Sequence, residues 1–83
     1  MDVALQAVVE IVNEHLRRTR GTGPVSSDTP LLADGHLDSF GLAELGAELE
    51  KALGVALPAG ALLPEDFESP RVLHQRLVAV IGA

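Results

Sequence analysis

The chain contains no cysteine, tryptophan or tyrosine, and Phe40 and Phe67 are the only aromatics among its 83 residues. Without cysteine there is no disulfide and no thiolate metal site, so any thiol chemistry must come from an attached group. With so few aromatics, the core has to be built from Leu, Val, Ile and Ala. Basic residues are scarce as well: six Lys and Arg stand against twelve Asp and Glu, giving a net charge of −6. Nucleic-acid backbones require clustered cations, so no nucleic-acid partner is expected. Basic protein surfaces are the natural counterpart, steered by the field of the whole domain. No run of 18 apolar residues and no charged-then-apolar leader appears, which points to a soluble, cytoplasmic protein with no membrane partner.

What is present is a folding composition. Hydrophobic residues make up 47% of the chain, too many for a disordered one. Residues 1–83 read as a single domain, expected to be monomeric, able to bury about 60–65% of its unfolded surface. That allows one small core and leaves little room for a catalytic cleft.

Leu5, Val8, Val9, Val12 and Leu16 follow the i, i+3, i+4, i+7 rule, predicting a helix from an Asp2 cap to about Arg18. Arg17 and Arg18 suit its C-terminal end, and the residues from Gly21 to Pro24 end it. Residues 21–38 then show no sustained period, and Pro24, Ser26, Ser27, Asp28, Pro30 and Gly35 punctuate them. Loops of this length are usually functional or disordered. Leu31 and Leu32 are expected to pin this one to the core, with Asp28 or Thr29 capping a turn.

A second helix is predicted from about Ser39 to Leu53, with Asp38 as its N-cap and Gly54 as its stop. Leu42, Leu45, Leu49 and Leu53 lie within about 80° of one another and form its buried stripe. Phe40, Ala43, Glu44, Ala47 and Lys51 fall around the opposite face, with Glu48 and Glu50 at the edges. A phenylalanine pointing outward beside Ser39 breaks the pattern, as residues at functional sites tend to do. Ala43 and Ala47 would leave a shallow groove, whereas Gly41 and Gly46 each cost about 1 kcal/mol against Ala. A turn over residues 62–67 with Phe67 inserted in the core is expected next. Ser69 and Pro70 then start a last helix whose stripe is Leu73, Leu77, Val80 and Ile81. The fold class is all-α, a small four-helix bundle of three main helices and one short one.

The second helix start is the candidate functional site. A serine at the positive end of a helix places a hydroxyl where a phosphate would be stabilised by free backbone N–H groups and the macrodipole. Two other constellations are set aside. His36, Asp38 and Ser39 are too close in sequence to converge as a catalytic triad. Asp34, His36 and Asp38 lack the glycine and distal glutamate of a calcium loop. His15 and His74 are read as surface residues.

Leu37-Asp38-Ser39-Phe40, followed by an acidic amphipathic helix, resembles the modification site of the acyl carrier proteins. The resemblance runs over most of the chain: apolar first helix, long Pro/Gly-containing loop, Asp-Ser helix, Pro64-Glu65-Asp66-Phe67 and last apolar helix. It implies that Ser39 carries 4'-phosphopantetheine, transferred from coenzyme A by a phosphopantetheinyl transferase, and that Asp38 helps present the serine. It implies acyl or aminoacyl thioesters on the terminal thiol and no catalysis by the chain itself. It also implies that the second helix meets partner enzymes, through Phe40, Ala43, Glu44, Ala47, Glu48 and Lys51. Lys51 departs from a purely acidic face, and Phe40 replaces the leucine usual after the serine.

Leu37-Asp38-Ser39-Phe40-Gly41 resembles small free-standing carriers loaded by AMP-forming acyl- or aminoacyl-adenylate ligases in secondary-metabolite biosynthesis, nonribosomal peptides among the products. Downstream acyl-transfer, condensing or tailoring enzymes would complete the set of partners. A discrete carrier of type II polyketide or fatty-acid synthesis is the close alternative. An unmodified acidic helical adaptor for a basic protein is the alternative of another class.

Overall fold

The computed structural model describes residues 3–21 and 24–82. Three helices, α1 (Leu5–Thr19), α2 (Ser39–Leu53) and α3 (Pro70–Ile81), are joined by a long first loop and a 3₁₀ turn at Pro64–Phe67. The described residues contain no strand. The all-α class expected from the sequence is the one observed, as a bundle in which both α2 and α3 pack on α1.

The core is aliphatic, as the lack of aromatics requires. Val8, Val12 and Leu16 of α1 meet Leu45 and Leu49 of α2 and Leu73 and Leu77 of α3, all fully buried. Phe67 enters from the 3₁₀ turn and is the one aromatic side chain in this core. Burial of each such side chain contributes about 1.5–3 kcal/mol of transfer free energy. Ser69 caps α3, its hydroxyl accepting from the Val72 N–H at 3.2 Å, with Pro70 in the first position.

The start of α1 differs from expectation. Its N-cap is Ala4, which offers no side-chain bond, and Asp2 lies outside the described residues. The reason is Val3. Its side chain is buried in the core, and its carbonyl accepts a 2.6 Å bond from His74 Nε2 on α3. That holds the chain extended up to Ala4. His74 is accordingly half-buried and engaged rather than a free surface residue.

The long loop is stitched down at three places by hydrogen bonds to α1, α3 and the 3₁₀ turn. Asn13 of α1 pairs with both backbone groups of Val25, accepting from its N–H at 2.6 Å and donating to its carbonyl at 3.1 Å. Arg71 of α3 donates its N–H to the Ser27 carbonyl, and its guanidinium reaches Asp28 at 2.7 Å. Leu31 is fully buried and donates to the Glu68 carbonyl at 2.8 Å. Of the two leucines expected to pin the loop, Leu31 does so and Leu32 is exposed, while Val25 and Leu37 are also buried in the core. Thr29, not Asp28, closes the Ser26 turn, its hydroxyl accepting from the Ser26 N–H.

His15 also departs from expectation. It is only 2% exposed on the α1 side that faces α2, and its Nδ1 has no hydrogen-bond partner among the described residues. Desolvation holds its pKa below the ordinary histidine value. Glu44 and Glu48 oppose that shift, and Arg18 and Arg20 add to it. The folded state therefore takes a proton onto His15 less readily than the unfolded chain, which binds one below about pH 6.5. Stability is lost as pH falls from that value toward the depressed folded one. Thermal melts between pH 7 and 5 should show this decline in the parent and a flatter profile in His15→Leu.

Candidate functional site at the start of the second helix

The junction is made by alternating burial. Leu37 is buried, anchoring the end of the loop, while Asp38, Ser39 and Phe40 are exposed and Gly41 is buried again. Asp38 has extended backbone angles, and its Oδ1 accepts the Gly41 N–H at 2.7 Å, the geometry of an N-cap. Its Oδ2 lies 2.9 Å from Nη2 of Arg20, just past the end of α1. The Gly41 N–H, and after it the Arg20 guanidinium, holds the Asp38 carboxyl below the usual carboxylate range.

Gly41 has a reason to be glycine. A methyl group there would lie 3.3 Å from Asp38 Oδ1 and from Leu37 Cδ2, and 3.7 Å from Arg20 Nη2. The missing side chain lets the capping carboxylate and Leu37 lie close against the first turn of α2.

From Ser39 an open groove of about 420 Å³ runs along α2, bounded on its far side by residues 57–64. Leu42, Ala43, Gly46 and Ala47 line the α2 wall, and Phe67 closes the inner end. Both walls are fixed by polar contacts. Glu50 accepts the Leu57 N–H at 2.8 Å, and Arg76 of α3 donates to the Ala61 carbonyl at 3.1 Å. Leu63 donates its N–H to Asp66 at 2.8 Å.

The residues singled out on α2 divide in two. Phe40 is 73% exposed, and Ala43, Glu44, Ala47 and Lys51 are exposed with it. Glu48 turns toward α1, where it pairs with Arg18 at 2.9 Å. Glu50 is likewise occupied with Leu57. Glu44 is thus the acidic side chain of α2 left without an ion pair or side-chain hydrogen bond among the described residues. No group of three or more His, Asp or Glu among the described residues is placed to hold a metal ion, and Asp34, His36 and Asp38 do not form one.

Sequence reading missed Arg20, Leu57 and Leu62. Leu57 and Leu62 sit in a segment without period, and Arg20 meets Asp38 across the long loop, so no local spacing signals the contacts.

A helical chain whose second helix opens on an exposed, capped serine beside a groove is the architecture of a carrier domain. The phosphopantetheine attachment site family matches residues 6–77, and the chain belongs to that family. No curated protein and no solved structure matches it. Its cofactor is therefore covalently attached 4'-phosphopantetheine, and it serves as a carrier, a kind of domain that is not itself a catalyst. Carrier domains of this type interact with a phosphopantetheinyl transferase and with acyl-handling enzymes. No helix among the described residues is long and apolar enough to cross a membrane.

Removing the cap should loosen the helix start. Asp38→Ala is expected to lower the melting midpoint by a few degrees, and Asp38→Asn, which still caps, by less. In the parent this contribution is present above the ordinary aspartate pKa and lost as pH falls through the lowered one. Circular dichroism melts at pH 7 and pH 3 check both.

Proposed function

We propose that Ser39 is the attachment point, and that the chain works as a single-domain, discrete acyl carrier. The observation that carries this reading is the exposed Ser39 at the α2 start, at the mouth of the groove. The site fits the group. The positive helix end favours a phosphodiester, Asp38 fixes the first turn, and the groove leads away from the serine along an apolar wall.

In the attachment step the Ser39 oxygen forms a bond to the pantetheine-side phosphorus of coenzyme A. The pyrophosphate P–O bond breaks, adenosine 3',5'-bisphosphate leaves, and the hydroxyl proton passes to a base of the transferase. When bound, the group supplies a thiol on a flexible arm, on which acyl or aminoacyl units are held as thioesters. The chain's own contribution is to hold that arm at one rigid helix end, so that docking raises its local concentration at each enzyme.

The docking face would be Phe40, Ala43, Glu44, Ala47 and Lys51, with Glu48 at its edge. Phe40 would be the apolar anchor, since an exposed aromatic is the residue type that dominates interface energetics. With Glu48 paired to Arg18 and Lys51 opposing Glu44, charge would guide the encounter more than hold the complex. The Leu37–Gly41 stretch favours loading by an AMP-forming ligase in a secondary-metabolite pathway, with type II polyketide or fatty-acid synthesis as the second choice.

Incubation with coenzyme A, magnesium and a broad-specificity transferase should add about 340 Da, the formula difference for this phosphodiester. Ser39→Ala should fold like the parent and gain nothing. A parent that stays unmodified with two different transferases would argue instead for an unmodified adaptor using the Phe40 face.

A further inference from the structure

Among the described residues, Arg20 is the charged side chain within ion-pair distance of Asp38. The Arg17–Glu14, Arg18–Glu48 and Arg71–Asp28 pairs join groups that have no part in the serine junction. Arg20–Asp38 differs because the same carboxylate caps α2 through Gly41 and directly precedes Ser39. The two oxygens are divided between these tasks, one on the Gly41 N–H at 2.7 Å and one on Arg20 at 2.9 Å. Gly41 leaves room for the carboxylate, since a Cβ there would come within 3.3 Å of Asp38 Oδ1. Asp38 alone would set a bare negative charge beside the residue that must receive an anionic phosphate from a polyanionic donor. Like charges at such a distance disfavour that approach.

We propose that Arg20 is a positioning residue for the modification of Ser39, fixing the Asp38 carboxylate and offsetting its charge where the phosphate arrives. The inference rests on Ser39 being the attachment point. Arg20 touches neither the hydroxyl nor the incoming group in this arrangement. It acts through Asp38, by keeping the first turn of α2 in one conformation and by lowering the repulsion an anion meets there. Orientation of a reacting group bears on the rate of the chemical step, while docking rests on the outer face of α2.

The test compares the parent, Arg20→Gln and Arg20→Lys, with Ser39→Ala as the blank. Rates of mass gain are measured with coenzyme A, magnesium and one transferase, over a range of carrier concentrations. They are taken at a temperature at which all variants show the parent's helix content by circular dichroism. Arg20→Gln should lower kcat/KM about 2- to 5-fold, mainly through kcat. Arg20→Lys, which keeps the charge without the planar fork, should recover part of the loss. Carbon-detected NMR should show the Asp38 carboxyl titrating at higher pH in Arg20→Gln, a change that general loosening of the bundle would not produce. Equal or faster modification of Arg20→Gln, or an unmoved Asp38 titration, would overturn the inference and leave Ser39 standing. A parent that gains no mass would overturn both.

Discussion

The Asp38 carboxylate decides where α2 begins, and the presentation of Ser39 depends on that choice. One of its oxygens takes the Gly41 N–H and the other faces Arg20, so a single side chain joins the end of α1 to the first turn of α2. Shifting the start by one residue would turn Ser39 about 100° around the helix. Leu37 would then leave the core, and Phe40 would no longer stand exposed beside the serine. The cap therefore couples the register of the core stripe to the presentation of the hydroxyl. Gly41 belongs to the same unit, and its helix-propensity penalty is the cost of placing the carboxylate and Leu37 close against the helix.

The rest of the fold keeps that junction in place. Asn13, Arg71 and the buried Leu31 hold the long loop against α1, α3 and the 3₁₀ turn, so the segment delivering Leu37 and Asp38 is anchored by contacts far from the serine. The arginines at the end of α1 also redistribute charge. Arg18 occupies Glu48 and Arg20 occupies Asp38, which leaves the outer face of α2 nearly neutral despite the net charge of the chain. On the docking face proposed above, Phe40 would supply the apolar grip.

Much of this was legible in the sequence because helices announce themselves by period and by caps. The Leu45/Leu49 stripe, the Asp38 and Ser69 caps, the Gly54 stop and the Phe67 anchor all appear as expected. His15 is signalled too, since Val8, Val12 and His15 continue one helical face, although its polarity suggests solvent. The α1 start was missed because a tertiary contact, Val3 with His74, overrode a local capping preference. The walls of the groove and the Arg20–Asp38 pair depend on residues distant in sequence, and no local pattern carries such information.

The central claim is that one hydroxyl, that of Ser39, bears the cofactor. The chain offers Ser26, Ser27 and Ser69 as competing serines, of which Ser69 is buried and engaged as a cap. Proteolysis of the modified protein followed by fragment-ion mass spectrometry distinguishes them directly. The account predicts that the added mass appears in every fragment containing Ser39 and in none that ends at Asp38 or begins at Phe40. Added mass on a peptide lacking Ser39 would contradict it.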